Sequence, residues 1–243
     1  MVLDKLNVDR VKADANLNIK KPRPLEVPSK EEIYNAGLKM YKIAQWNPND
    51  LLALYFHLYL FGQRLTEALA TKVRDFDIKK LKRKKKKNIL LVVLTSINLK
   101  TKRIYLKKKS LPLVIDKNHQ IEGRMFKFIY TYLLKPRLEE GKYDEFVFRR
   151  LIRYSPTIIN YYFRRYIPPF RLDAVMPSGD YAYGYYFSVH PHFLRHCRLT
   201  HLVEDENLDG LELMKYAGWT TPSPAVIYDK SSYKRIVDKM IKS

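Results

Sequence analysis

Apolar positions along this chain keep a helical rhythm over most of its length and an extended one over a short, strongly basic stretch. Behind Ser29-Lys30-Glu31-Glu32, the residues Ile33, Gly37, Met40, Tyr41 and Ala44 recur at helical spacing. The leading tetrapeptide is a capping box, in which the serine oxygen and the Glu32 carboxylate satisfy free N–H groups reciprocally. Asn47-Pro48-Asn49-Asp50 closes that helix and opens a second, Leu51 to Phe61, apolar on nearly every face and so predicted to be buried. Gly62 supplies its stop. A short helix is predicted over Thr66 to Thr71, and longer ones near Ile121 to Leu134 and Pro156 to Arg165. Pro191 suits the first turn of a helix running to about Glu204, and Leu208 to Tyr216 and Tyr233 to Ile241 complete the set.

The extended rhythm is confined to two places. Ile89-Leu90-Leu91-Val92-Val93-Leu94 reads as a buried strand, and a second strand from Arg103 to about Leu106 would make a hairpin with it. Residues 168 to 189 are rich in Tyr, Pro and Gly, aperiodic, and predict no regular element. Residues 1–28 are polar, hold Lys20-Lys21-Pro22-Arg23-Pro24, and read as a tail or linker. No internal repeat is present. The expected architecture is mainly α with a small antiparallel β-sheet, an α+β fold, with one domain over residues 29–243.

Charge changes the picture from generic to directed. Lys and Arg number 46 against 25 Asp and Glu, a net of +21, which exceeds what solubility requires and points to a polyanionic partner. Fourteen of the basic residues fall between positions 78 and 115, where no acidic residue lies. The run Lys82, Arg83, Lys84, Lys85, Lys86 and Lys87, with Lys102 and Arg103 further on, is the expected DNA-backbone contact, giving salt-sensitive affinity without base information. The 46% hydrophobic content excludes a disordered basic tail, and the single cysteine, Cys197, excludes an intrachain disulfide. The longest apolar stretch is too short to span a bilayer, and the opening residues carry no signal-peptide pattern. A cytoplasmic, nucleoid-associated protein acting on double-stranded DNA is expected.

Several short motifs carry chemistry. His192-Phe193-Leu194-Arg195-His196 puts His192 and Arg195 on one helix face, where a guanidinium fork and an imidazole can converge on a phosphate. A metal centre from His190, His192, His196 and Cys197 is not expected, since no carboxylate or second cysteine lies at ligand spacing. In Gly62-Gln63-Arg64-Leu65-Thr66-Glu67 an arginine occupies the turn between two helices, and Glu67 can fix its rotamer. Gly218-Trp219 precedes Tyr228 by nine residues across a turn-rich bridge.

In this order, Gly-x-Arg-x-x-Glu, a basic β-hairpin, His-x-Leu-Arg-His, Gly-Trp and then Tyr, the motifs resemble the tyrosine recombinase (phage integrase) family over roughly residues 29–235. The resemblance implies that Arg64, His192, Arg195, Trp219 and Tyr228 are catalytic, with Glu67 and His196 in support. It also implies a catalytic lysine in the turn of the basic hairpin, where Asn98-Leu99-Lys100-Thr101-Lys102 offers Lys100 as the favoured candidate and Lys102 as a phosphate contact. Gln63 stands where an apolar residue is common, the turn lacks a Gly-Lys-x-x-Lys pattern, and residues 168 to 189 look like an insertion. No segment before Ser29 is long enough for a helical core-binding domain, so a catalytic domain alone is expected.

The implied chemistry is cleavage and rejoining of DNA through a 3′-phosphotyrosine, with no metal or cofactor. A tyrosine hydroxyl ionises near pH 10, so the nucleophile needs a positive site and a neighbouring base. Alternatives are a type IB topoisomerase-like relaxation of DNA or a non-catalytic DNA-binding relative. The resemblance further implies a tetramer on DNA. Ile236, Val237, Met240 and Ile241 form the apolar stripe of a C-terminal helix expected to dock on a neighbouring protomer.

Overall fold

The computed structural model of the protein describes residues 22–83, 86–97, 108–221 and 223–226. Ser29 begins the first helix, α1 (Lys30–Ile43), through the predicted capping box: its Oγ accepts from the Glu32 N–H at 3.2 Å, and the Glu32 carboxylate accepts from the Ser29 N–H at 2.8 Å. Pro48 opens α2 (Pro48–Phe61), and Gly62 ends it in the left-handed region at φ +56°. Every residue of α2 from Asp50 onward is buried, as its unbroken apolar sequence requires. Around it pack α1, α4 (Gln120–Ile129) and α7 (Pro191–Glu204), so α2 is the axis of the core. Between α2 and α4 lie the short α3 (Leu65–Leu69) and a sheet. After α4 the helix passes through one π turn (Tyr130–Leu134) into α5 (Lys135–Glu139), followed by α6 (Pro156–Tyr166). The last two helices are α8 (Gly210–Ala217) and α9 (Ser223–Val226).

The β-structure differs from expectation in extent. The basic run is itself a strand, β2 (Phe76–Arg83), paired antiparallel with β3 (Lys86–Ile97), which extends the predicted Ile89 to Leu94 at both ends. The third strand, β4, occupies Lys108–Ile115, whereas the predicted strand from Arg103 to Leu106 lies outside the described residues. The order is β2-β3-β4, and the register sets Ser96 opposite Lys109 and Leu94 opposite Leu111. Along β4 burial alternates, with Lys109, Leu111 and Leu113 inward and Lys108, Ser110 and Pro112 outward. Pro112 is tolerated because β4 is an edge strand.

A second sheet stands where the sequence predicted none. Phe170–Val175 (β5) and Tyr181–Phe187 (β6) form an antiparallel hairpin within the segment read as aperiodic, and Arg23–Pro24 (β1) adds a third strand in the order β1-β5-β6. Residues 22–28, assigned to the tail, are thus partly tied into the domain: Arg23 pairs with Val175, and the Leu25 N–H donates to the Asp173 carbonyl at 2.8 Å. The hairpin is pinned at its base, where the Phe170 and Phe187 rings stack on Phe193 of α7 at 6.0 and 6.3 Å. The predicted helix from Tyr233 to Ile241 lies outside the described residues.

Candidate active site

The site is assembled where the C-terminus of α2, the start of α3, the first residues of β4, the helix α7 and the C-terminus of α8 meet. Arg64 is the N-cap of α3 and half-buried. Its Nη1 donates to Glu67 Oε1 at 2.7 Å, and its own backbone N–H donates to Glu67 Oε2 at 3.2 Å. Three residues apart in a short helix, the glutamate therefore fixes both the rotamer and the backbone of the arginine. Arg195 comes from the first half of α7 and is buried. Its fork spans two elements: Nη1 donates to the Gly62 carbonyl at the end of α2, and Nη2 to the Ala217 carbonyl at the end of α8, the latter at 2.9 Å. Both carbonyls belong to helix C-termini, where C=O groups lack intrahelical partners and the helix dipole is negative, so a cation is favoured there.

Gly218 ends α8 with φ +71°, and this left-handed residue turns the chain so that the indole of Trp219 lies 5.9 Å from the Arg195 guanidinium. His192 is exposed in the first turn of α7, one turn before Arg195, with its ring nearly parallel to that of His190 at 6.5 Å. His190 caps the helix, its Nδ1 accepting from the Phe193 N–H at 3.2 Å. His196 is half-buried on the same helix. Cys197 is fully buried, and burial pushes its thiol far above the usual range, so it acts as a small apolar group.

Lys109 was not anticipated from the sequence. This residue is buried at the inward-facing start of β4, and its ammonium donates to Glu67 Oε2 at 2.9 Å and to the Ala217 carbonyl at 3.5 Å. Burial lowers its pKa and the positive Arg195 and Arg64 add to that, against the opposing pull of Glu67. For Glu67, burial acts to raise the pKa, but Lys109 and Arg64 outweigh it and hold the carboxyl below its usual value. The available sign was an inward-phase lysine in an alternating strand, Lys109-x-Leu111-x-Leu113, hidden by the basic residues around it.

Gln63 also departs from expectation. It is buried in a polar chain, with Oε1 2.5 Å from His57 Nε2 and Nε2 donating to Ser96 Oγ at 2.6 Å. That chain ties the turn before Arg64 to β3 at Ser96, the residue directly opposite Lys109. The His57 ring is wholly buried among Phe61, Phe76 and Phe148, and burial pushes its pKa down to about 4, so the imidazole is neutral.

Other sequence candidates lie elsewhere or outside the description. Lys82, Arg83, Lys86 and Lys87 belong to the β2–β3 end of the sheet, whereas Ser96 and Lys109 close the β3–β4 end. From Lys87 to Ser96 the strand runs about 30 Å at its usual rise, so the densest basic stretch is well removed from the arginines. Lys84, Lys85, Lys100, Lys102, Arg103 and Tyr228 lie outside the described residues. Among the described residues no helix is long and apolar enough to cross a membrane.

No protein-family model and no curated protein matches the sequence. Solved structures do match it. One is the XerH site-specific recombinase bound to difH substrate in a pre-cleavage complex, 16% identical with a TM-score of 0.51, covering 83% of this chain and 49% of that one. The XerH post-cleavage complex on palindromic difH is 15% identical with a TM-score of 0.53, over 90% and 53% of the two chains. The Tn1549 transposon integrase in complex with transposon right end DNA is 12% identical with a TM-score of 0.52, over 92% and 66%. This chain spans about half the length of the XerH chains it matches. At such identities the likeness is one of fold, and that fold is the α+β fold of tyrosine recombinase catalytic domains.

Proposed function

We propose that this protein is a site-specific DNA recombinase or integrase that cleaves and rejoins double-stranded DNA through a 3′-phosphotyrosine at Tyr228. The observation that carries the reading is the convergence of Arg64 and Arg195, far apart in sequence, on one cluster through Glu67, Lys109 and the Ala217 carbonyl, with Trp219 against the second guanidinium. Two fixed guanidinium groups beside an indole N–H suit the non-bridging oxygens of a phosphodiester as charge gathers in the transition state. Matched folds that are solved with DNA, XerH on difH and the Tn1549 integrase on transposon DNA, support the same substrate class.

In this reading the Tyr228 hydroxyl attacks phosphorus in line, His192 accepts or orients its proton, and the 5′-oxygen departs. That leaving alkoxide needs a proton, assigned here to Lys100, with Lys102 holding a phosphate. The phosphotyrosine keeps the bond energy, so the free 5′-hydroxyl of another strand reverses the step and regenerates tyrosine. Strand exchange would be carried out by four protomers joined through the C-terminal residues. The basic stretch near Lys82–Lys87, about 30 Å along the sheet from the arginines, would hold the duplex backbone beyond the scissile phosphate.

The test is a nicked suicide duplex carrying a site selected by this protein from random duplex DNA. A covalent adduct lost in Tyr228→Phe is expected, with its formation slowed by orders of magnitude but still measurable in Arg64→Ala. A substrate with bridging 5′-sulfur, which leaves without a proton, should restore cleavage to Lys100→Ala and not to Arg64→Ala. Absence of any adduct with the unaltered protein would sink the reading, and plasmid relaxation without strand exchange would move it to a topoisomerase.

A further inference from the structure

The proposed chemistry uses two arginines, yet the structure places a third cation between them. Its ammonium touches the carboxylate that holds Arg64 and the carbonyl that holds Arg195. Lysine is an expensive choice for a buried, inward-facing strand position, where Leu111 and Leu113 continue the same face with apolar side chains. A leucine or methionine there would continue the apolar face and leave Glu67 Oε2 with the Arg64 backbone N–H but without its charged partner.

We infer that Lys109 is a positioning residue, the brace that sets Arg64 and Arg195 at a fixed separation around one phosphate. This rests on the recombinase reading of the site. The geometry explains how it works. Glu67 has two oxygens and three donors, because Oε1 takes Arg64 Nη1 while Oε2 takes both the Arg64 N–H and Lys109. The Ala217 carbonyl takes Lys109 and Arg195 together. Lys109 therefore joins α3, β4 and the end of α8 at one atom, and moving it frees Glu67 to rotate and Ala217 to shift.

It is also ruled out as the proton donor to the leaving group by the same contacts. The ammonium is buried, and its hydrogen bonds go to the Glu67 carboxylate and the Ala217 carbonyl. Its role is to hold other groups still. A displacement of about 1 Å at such groups costs on the order of 100-fold in rate.

The experiment uses the full chain in three forms, unaltered, Lys109→Met and Lys109→Arg, with Lys109→Gln as a second uncharged form should the methionine variant fold poorly. Single-turnover cleavage of the suicide duplex should fall about 100-fold in Lys109→Met, with DNA affinity within about threefold, and recover most of the loss in Lys109→Arg. In an Arg64→Ala background the same substitution should cost less than threefold, since no pair of arginines is left to hold at a fixed separation. Equal losses in both backgrounds, or rescue of Lys109→Met by bridging 5′-sulfur, would overturn the inference, the first for an unrelated role and the second for a proton donor.

A readout independent of activity keeps the two proposals apart. In nuclear magnetic resonance of the guanidinium nitrogens, the Arg64 Nη protons held by Glu67 should exchange slowly in the unaltered protein and quickly in Lys109→Met or Lys109→Gln. Unchanged exchange refutes the brace whatever the enzyme does. Fast exchange together with no covalent adduct would leave the brace standing and refute the recombinase reading.

Discussion

The two three-stranded sheets of this protein are alike in size and antiparallel order and opposite in how they are held. The β2-β3-β4 sheet presses one face into the core through Val92, Leu94, Leu111 and Leu113, all buried, and hands Lys109 to the arginines at its end. Among its described side chains the β1-β5-β6 sheet buries only Leu172 and Ala174, and it turns Tyr181, Tyr183 and Tyr186 to solvent. Its attachment is local, an aromatic stack of Phe170 and Phe187 on Phe193 at the start of α7. One sheet is a wall of the core and of the site; the other is an appendage fixed at its root. The lesson is that burial along a strand, rather than strand count, decides whether a sheet can transmit order to a catalytic centre.

The largest expected effect separating the sheets is on stability. Leu113→Ala empties a fully enclosed position of β4 and should cost about 2–5 kcal/mol, read as a fall in the urea midpoint at constant slope. The comparison would break if the loss were below about 1 kcal/mol, since the first sheet would then be as loosely seated as the second.

Acid should next act on the helical core against which the first sheet packs. His57 and His201 are buried, the first bonded to Gln63 and the second, through Nδ1, to the Tyr59 hydroxyl at 2.8 Å, and burial pushes each pKa down to about 4. In the unfolded chain both bind a proton near pH 6.5. Stability is therefore complete above about pH 6.5 and falls as pH drops towards 4, because the unfolded state takes up protons that the folded state refuses. Each histidine contributes up to about 3 kcal/mol of this loss. Glu67 and Glu122 are held below the usual carboxylate value and titrate lower still, while burial raises Asp50, whose protonation in the folded state offsets a part of the loss. Denaturant titrations at pH 7 and pH 5 should differ by more than 1 kcal/mol, and His57→Asn should flatten that difference by about half.

How much of this was legible in the sequence follows the same division. Elements whose ends are set by local chemistry were readable: the Ser29 capping box and the Pro191 to Glu204 helix stand where the sequence put them. The helix read as Leu51 to Phe61 ends as expected before Gly62 but opens three residues earlier, at Pro48. Strands obscured by composition were not. In β2 the lysines hide the inward Phe76 and Ile78, and Pro112 argues against a strand until its edge position is known. In β5 and β6 the exposed tyrosines leave no apolar alternation to read. The arginines, Glu67 and Trp219 were chosen by motif spacing, while Lys109 needed the register that faces it inward.

A glycine in the appendage offers a smaller, more selective probe. Gly184 sits in β6 at φ +63°, donating its N–H to Asp173 Oδ1 at 2.8 Å, and an added Cβ would collide with the Arg171 guanidinium. The arginine end can swing away, but the backbone angle stays unfavourable for any L side chain, so Gly184→Ala should cost about 1–2 kcal/mol locally. Hydrogen exchange should quicken across β5 and β6 and stay unchanged in β3 and β4. Equal acceleration in both sheets would show that they open as one unit.

The smallest effect is the sharpest test of the appendage as an exposed surface. Tyr183 is 84% exposed, so its ring gives up little contact on removal, and an unburied side chain contributes almost nothing to the folded state relative to the unfolded one. Tyr183→Ser should change stability by less than about 0.5 kcal/mol in the isolated protein. β6 is also an edge strand among the described residues, and such edges are where chains meet. The measurement is therefore made at two concentrations, dilute and near 100-fold higher. A change that stays near zero at both supports a solvated surface. A loss above about 1 kcal/mol that emerges only at the higher concentration would mean that the tyrosines are covered by another copy, and the appendage would then belong to an interface rather than to solvent.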